Sequence, residues 1–278
     1  MSTLYVVSTP IGNLDDLTPR AAAALAGADR VLAEDTRRTS ILLRHIGART
    51  PMVALHEHNE ASRVERVTRW LDAGETLALV SDAGTPLVSD PGSRLVGAVV
   101  EAGHEVVPVP GASAVLAALV ASALPADRFA FLGFMPRRGG DRAATLARIA
   151  DSAETTVVFE SPERLETLLV DLAARCGEGR PAAVARELTK VHETVRRGTL
   201  AELLGYYQVE PARGEVTVVV SPAPPVTDDD RLGEARSEAR RLLDEGTKPS
   251  RAAREVARRT GLSRNRAYEL VQLLQDEG

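Results

Sequence analysis

Aspartates, hydroxyls, glycines and prolines crowd into one twelve-residue stretch, Ser81 to Gly92, with the sequence SDAGTPLVSDPG. Gly84 and Gly92 are expected to leave backbone amides open to close approach, and Asp82 and Asp90 add negative charge. Such a loop suits a polar, cationic small molecule. Smaller groups of the same kind recur: Pro10 and Gly12 in TPIGNL, Glu34 and Asp35 in EDTR, His56 and His58 in HEHNE, and Ser113 in PGASA. Adjacent carboxylates such as Glu34 and Asp35 often face a shared cleft. The two histidines lack a third ligand at a recognisable spacing, so polar substrate contact is expected there and a metal is not. Ser113 and the amides near it would open a helix, where a polar ligand can bind.

Each group falls where a strand pattern ends. Short apolar runs at Leu4 to Ser8, Arg30 to Ala33, Met52 to Leu55, Thr76 to Val80 and Glu105 to Val109 read as buried strands. Helical spacing follows each of them. Thr18 and Pro19 supply a cap and a first helical residue, and Asp35 or Thr36 caps a helix over Arg37 to His45. Strands alternating with helices give an α/β fold, whose ligands bind at the carboxyl ends of parallel strands. No G-x-G-x-x-G follows the first strand, so the dinucleotide fingerprint is absent.

A boundary is expected at Pro125 to Asp127, dividing an α/β domain over 1–124 from a second over 125–222. In the second domain, strands are expected at Phe129 to Leu132, Thr155 to Phe159, Ala182 to Ala185, Glu193 to Arg197 and Val216 to Val220. Helices fit Arg142 to Ala150 and Pro162 to Ala174, with Leu165, Leu168, Leu169 and Leu172 as a core stripe. Polar clusters sit at these strand ends: GFMPRR with Arg137 and Arg138, ESPER, RELTK with Glu187 and Lys190, and RGE with Glu215. Together they suggest a polar face opposing the first domain's loops.

A proline-rich, acidic linker is read over Ser221 to Asp230, followed by a helix-turn-helix-like module over 231–278 with three helices. From Gly246 to Tyr268 there are seven basic residues against one acid, Glu255. In a chain of net charge -5, that stripe points to phosphate contact through Arg254, Arg258, Arg264 and Arg266. The 278 residues suffice for two domains and a small third. Cys176 is the only cysteine, which excludes an internal disulfide and a thiolate zinc site. The first residues lack the basic and apolar regions of a signal peptide, and no run approaches a membrane span. A cytoplasmic protein is the expectation.

The motifs TPIGNLDDLTPRA, EDTR, HEHNE, SDAGTPLVSDPG, PGASA, GFMPR, ESPER and RELTKVHE, in that order, resemble the ribosomal RNA small subunit methyltransferase I family, of the tetrapyrrole-methylase-like class. They span about the first 220 residues, and RNxxY from Arg264 to Tyr268 extends the likeness into the tail. Glu163 stands where that family has histidine. The resemblance implies two α/β domains with S-adenosylmethionine in the cleft between them, and a homodimer. It also implies 2′-O-methylation of a cytidine ribose in the decoding region of 16S rRNA, with that RNA or the small ribosomal subunit as partner. The donor contacts it implies are Pro10, Asp82, Gly84, Thr85, Ser113, Glu187 and Glu215. For RNA they are Arg37, His56, Arg137, Arg138 and the tail arginines. A ribose hydroxyl needs a base or a cation beside it. Glu187, Lys190, Glu34, Asp35 and His56 are candidates, with Lys190 preferred because a desolvated lysine near arginine loses its proton more easily. Two other readings stay open: methylation of a small tetrapyrrole, and a nucleic-acid-binding regulator whose α/β part only senses a ligand.

Overall fold

The computed structural model describes residues 2–56, 58–225 and 228–276. Glu57 of HEHNE, Val226 and Thr227 of the expected linker, and 277–278 of the tail lie outside them. The chain forms two compact units, one reaching Ala223 and one starting at Pro224.

The first unit begins with five strands, β1 (Thr3–Val7), β2 (Arg30–Ala33), β3 (Met52–Ala54), β4 (Leu77–Val80) and β5 (Glu105–Val109). They form one sheet in the order β3-β2-β4-β1-β5, and every pair is parallel. All four residues of β4 are buried, as a central strand covered on both faces requires. Helices α1 (Pro19–Gly27) and α2 (Thr36–His45) cover one face, where Leu25, Leu42 and Leu43 meet Val31 and Ala78. Helices α3 (Glu60–Asp72) and α4 (Ser93–Glu101) cover the other, where Val67, Leu71, Leu95 and Val99 meet Leu4, Leu32 and Leu79. The caps follow the sequence: Thr18 accepts the Ala21 amide, and Asp35 accepts that of Arg37.

A second sheet follows Pro125 to Asp127, built from β6 (Phe129–Phe134), β7 (Thr155–Glu160), β8 (Pro181–Arg186), β9 (Thr194–Thr199) and β10 (Val216–Val220). Its order is β6-β7-β10-β8-β9; only β6 and β7 run parallel. One face carries α6 (Gly139–Asp151), α7 (Leu165–Cys176) and α8 (Leu200–Val209), packed on Val158, Val184 and Val218. The stripe Leu165, Leu168, Leu169 and Leu172 is buried there. Helix α8 has no counterpart among the expected elements, although Thr199 and Glu202 form a capping box at its start.

The opposite face is covered by α5 (Ala114–Ser122), which precedes the expected boundary. Val115, Ala118 and Leu119 pack on Val157, Ala183 and Val219, with Ile11 of the first half in the same cluster. The halves thus share a core. This fixes the first sheet's strand ends against the second sheet.

In the second unit, α9 (Asp228–Asp244), α10 (Pro249–Thr260) and α11 (Arg264–Asp276) enclose a core of Ala235, Ala239, Ala252, Val256, Ala267 and Val271. The backbone is helical from Asp228, so the linker ends earlier than its composition suggests. Among the described residues, no helix is long and apolar enough to cross a membrane.

Leu168 is fully buried in the larger core. Leu168→Ala is expected to lower stability by about 2–5 kcal/mol in denaturant titration, and a loss below about 1 kcal/mol would show a looser core.

Candidate functional site

The loops after β1 and β4 are tied together. The Thr9 amide donates to the Gly84 carbonyl at 2.8 Å, and the Gly84 amide donates back to Thr9 at 3.0 Å. The Ser8 and Thr85 hydroxyls lie 3.0 Å apart. This corrects the expectation of an open amide at Gly84, whose N–H is spent on Thr9. Gly92 serves packing instead of ligand approach: a Cβ there would stand 2.9 Å from Leu79 Cδ2.

Between these loops and the second sheet lies a cavity of about 410 Å³. Small-ligand sites run from roughly 300 to 1,000 Å³. Of the residues singled out in the sequence, Glu34, Asp82, Gly84, Thr85, Asp90, Ser113 and Glu215 line it. Ile11, Val115, Phe134 and Phe159 add apolar wall. Ser113 caps α5 through the Leu116 amide. Pro10 is half-buried and does not line the cavity.

Carboxylates dominate the polar lining. Glu34 accepts the Asp82 amide at 3.2 Å, and Asp82 accepts the Asp35 amide at 3.0 Å and faces Arg38 at 3.6 Å. Asp90 completes the group. Burial, with the nearby charges of Glu34 and Asp82, pushes its carboxyl up to about 6 against a hydrogen bond from Ser81. The loop carrying Asp90 is strained: Leu87 and Ser89 take φ of 73° and 66°, values unusual outside glycine. In the sequence Asp90 reads only as negative charge, because its raised pKa comes first from burial and then from Glu34 and Asp82, which the fold brings beside it.

Glu187 and Lys190 stand behind Glu215, outside the cavity lining. The Glu187 carboxylate accepts Lys190 Nζ at 2.8 Å and the Glu215 amide at 2.9 Å. Lys190 Nζ also lies 3.2 Å from the Glu215 carboxylate. Burial alone would lower the lysine, but hydrogen bonds to Glu187 and Glu215 outweigh it and hold Lys190 above its ordinary value. This reverses the expected shift. Lys190 is a cation here, not a free amine, and the Lys190 hydrogen bond holds Glu187 below its ordinary value.

This network touches the first half through two contacts. The Asn13 amide donates to Thr189 Oγ1 at 3.1 Å, and Lys190 lies so close over Gly12 that a Cβ would meet its Cγ at 2.4 Å. Gly214 is equally constrained. It has φ of 77°, and a Cβ would meet Glu187 Oε1 at 2.2 Å.

A second network holds the loop after β6. Buried Glu160 pairs with Arg164 and lies 3.8 Å from Arg142, while burial raises its carboxyl. The arginines donate to the Met135 and Pro136 carbonyls at 3.3 and 3.0 Å. Glu163, the variant position in ESPER, is exposed and does not line the cavity.

The residues expected to meet RNA lie outside the cavity lining. Arg37 is exposed and holds Asp35 in a bidentate pair, which lowers that carboxyl to about 2. His56 shapes a turn, its amide donating to Asn59 Oδ1 at 2.9 Å. Arg137 and Arg138 are exposed before α6. In the second unit, Arg254 and Arg264 share a shallow depression with Asn265 and Tyr268. Arg258 and Arg259 both pair with Glu255, and Arg266 is exposed. Among the described residues, no group of three His, Cys, Asp or Glu is placed to hold a metal.

Acidic lining beside apolar wall fits a cation carrying a flat ring system, as S-adenosylmethionine does. The model of the tetrapyrrole (corrin/porphyrin) methylases matches residues 3–204. The chain is 43% identical to ribosomal RNA small subunit methyltransferase I of Synechocystis sp., over 100% of both chains. It is 46% identical to the protein of that name from Xylella fastidiosa, over 96% of this chain and 97% of the other. Among solved structures, uroporphyrin-III-C-methyltransferase from Thermus thermophilus shares the fold with a TM-score of 0.59 and 23% identity, covering 81% of this chain and 97% of that one. Diphthine synthase does so with a TM-score of 0.61 and 16% identity, covering 79% and 90%.

Gly214→Ala is expected to displace Glu187 and Glu215 together and weaken S-adenosylmethionine binding about 10-fold or more in calorimetry, since moving one satisfied charged hydrogen bond costs about 1.5–3 kcal/mol. Gly205→Ala, where a Cβ meets nothing within 4 Å, is the control. Equal affinity in both variants would show that the Glu187–Glu215 contact does not shape the cavity.

Proposed function

The chain belongs to the tetrapyrrole methylase family and, within it, to the ribosomal RNA small subunit methyltransferase I group, and we propose that it methylates the ribose 2′-oxygen of a cytidine in the decoding region of 16S rRNA. The observation that carries this reading is the cavity, with its acidic rim and apolar wall, at the strand ends of a methylase fold. S-adenosylmethionine supplies a methyl group on a sulfonium, which departs as a neutral thioether. Asp82, Gly84, Thr85, Ser113 and Glu215 are the proposed donor contacts lining the cavity, with Pro10 and Glu187 supporting from outside it. A carboxylate rim favours the positive donor over its neutral product, which aids release.

Positioning supplies much of the rate in such a displacement, and the ribose hydroxyl must also lose its proton. Asp90 is the proposed base. It lines the cavity, and a carboxyl near 6 is ionised at neutral pH yet basic enough to accept the proton. Lys190 is assigned the other role open to it, a fixed cation that with Glu187 orients Glu215 and lowers the hydroxyl's pKa through space. Arg37, His56, Arg137 and Arg138, with Arg254, Arg258, Arg264 and Arg266 of the helical unit, are proposed to meet RNA phosphates. The proposed setting is a cytoplasmic homodimer acting on the small ribosomal subunit.

The test is transfer of labelled methyl from S-adenosylmethionine to small subunits lacking the modification, across a salt series. Transfer that falls steeply with salt is expected, because phosphate contacts release counterions. Transfer only to a small tetrapyrrole would replace this reading, and donor binding without transfer to either would favour the ligand-sensing regulator.

The base assignment predicts a pH profile. Asp90 must be ionised, so kcat/KM should fall tenfold per pH unit below about 6 and level off above it. Asp90→Asn should lose about 10²–10⁴-fold in kcat and this limb of the profile. An unchanged acid limb in that variant would remove Asp90 from the role.

A further inference from the structure

The chain has four phenylalanines, and all of them lie on β6 and β7. Three form one cluster: Phe131 meets Phe159 edge-on at 4.8 Å, and Phe134 meets Phe159 at 5.2 Å, tilted by 58°. Phe134 and Phe159 line the cavity, yet Phe134 is 59% exposed. Unlike a lone exposed apolar side chain, this ring is continuous with the apolar wall of a cavity, the arrangement that marks a binding surface.

Its direction is imposed by the backbone. Phe131 pairs with Val157 and Phe134 with Phe159, so three steps along β6 match two along β7. In a regular strand residues three apart face opposite sides, and Phe134 would turn away from Phe159. The extra residue, with Gly133 at φ of 70°, returns Phe134 to the side of Phe131. Bulges beside active sites re-aim side chains in this way. The turn beyond it is held by the Arg142 and Arg164 bonds to Pro136 and Met135. Arg137 and Arg138 follow, both exposed, where a backbone attached to a base on this ring could be met.

Resting on the reading of an RNA substrate, we propose that Phe134 is the stacking platform for the nucleobase of the methylated nucleotide. Proteins that read single-stranded RNA splay bases onto aromatic rings and hold the adjoining phosphates with arginine. Enzymes that act on a base take it out of the stack, and a free aromatic face at the cavity mouth would receive a base splayed out in the same way. Ring contact fixes the base while the ribose, one glycosidic bond away, reaches the donor.

The test is steady-state kinetics on unmodified small subunits, with donor affinity by calorimetry and mass in solution by light scattering. Stacking loss on alanine substitution is worth about 5–150-fold per base, so Phe134→Ala should raise KM for the subunit at least about 5-fold. Phe134→Leu should behave like alanine and Phe134→Trp like wild type, with donor affinity changing by less than about 3-fold, well below the KM effect on the subunit, and oligomeric state unchanged in all three. A wild-type KM in Phe134→Ala or Phe134→Leu would overturn the inference. A parallel loss of donor affinity would assign the ring to the donor instead, and a smaller mass in solution would assign it to a second copy of the chain. Failure of wild-type enzyme to methylate any ribosomal RNA would remove the underlying reading, a result separate from all of these.

Discussion

One half-buried carboxylate, that of Glu187, sets the geometry on which the site depends. It accepts the Lys190 ammonium and the Glu215 amide, and it leaves no room for a side chain at residue 214. Lys190 in turn lies over Gly12, and Thr189 accepts the Asn13 amide. Three loops from two sheets are thereby held by one ion pair and its neighbours. An ion pair only partly out of water gains little stability on its own. Its value here is geometric: it fixes Glu215 at the edge of a cavity whose opposite rim is fixed by the Thr9–Gly84 bridge.

The same logic separates residues that face the cavity from residues that hold it. Asp82, Asp90 and Glu215 present carboxylates to it. Glu187, Lys190, Arg142 and Arg164 stand outside and fix loops by bonding to backbone or to one another. Motifs with many charged residues therefore carry two kinds of part, and composition alone does not tell them apart. RELTK looks catalytic by its residue types, and in the fold it also clamps RGE.

Much of this was legible in the sequence because it is local. Strand ends, the Thr18 and Asp35 caps and the Leu165–Leu172 stripe follow from spacing within a few residues. Of the donor contacts that the resemblance implied, Asp82, Gly84, Thr85, Ser113 and Glu215 line the cavity, because polar clusters at strand ends converge there, and Pro10 and Glu187 do not. The failures are non-local. Lys190 is held protonated by Glu187 and also by Glu215, 25 residues away, and Asp90 is raised first by burial and then by Glu34 from a neighbouring strand. The aim of Phe134 depends on a register shift that no alternation pattern encodes. Helix α8 is a different case, since the Thr199 and Glu202 pairing at its start was a local signal that could have been used.

The central claim is chemical: the oxygen of a cytidine ribose receives the methyl group. It is tested most directly by digesting the methylated RNA to nucleosides and identifying the product by mass spectrometry against synthetic standards. The account predicts 2′-O-methylcytidine, formed once per subunit and absent when S-adenosylmethionine is omitted. A cytidine methylated on carbon or nitrogen of the base, or a methylated ribose on a different nucleoside, would contradict it.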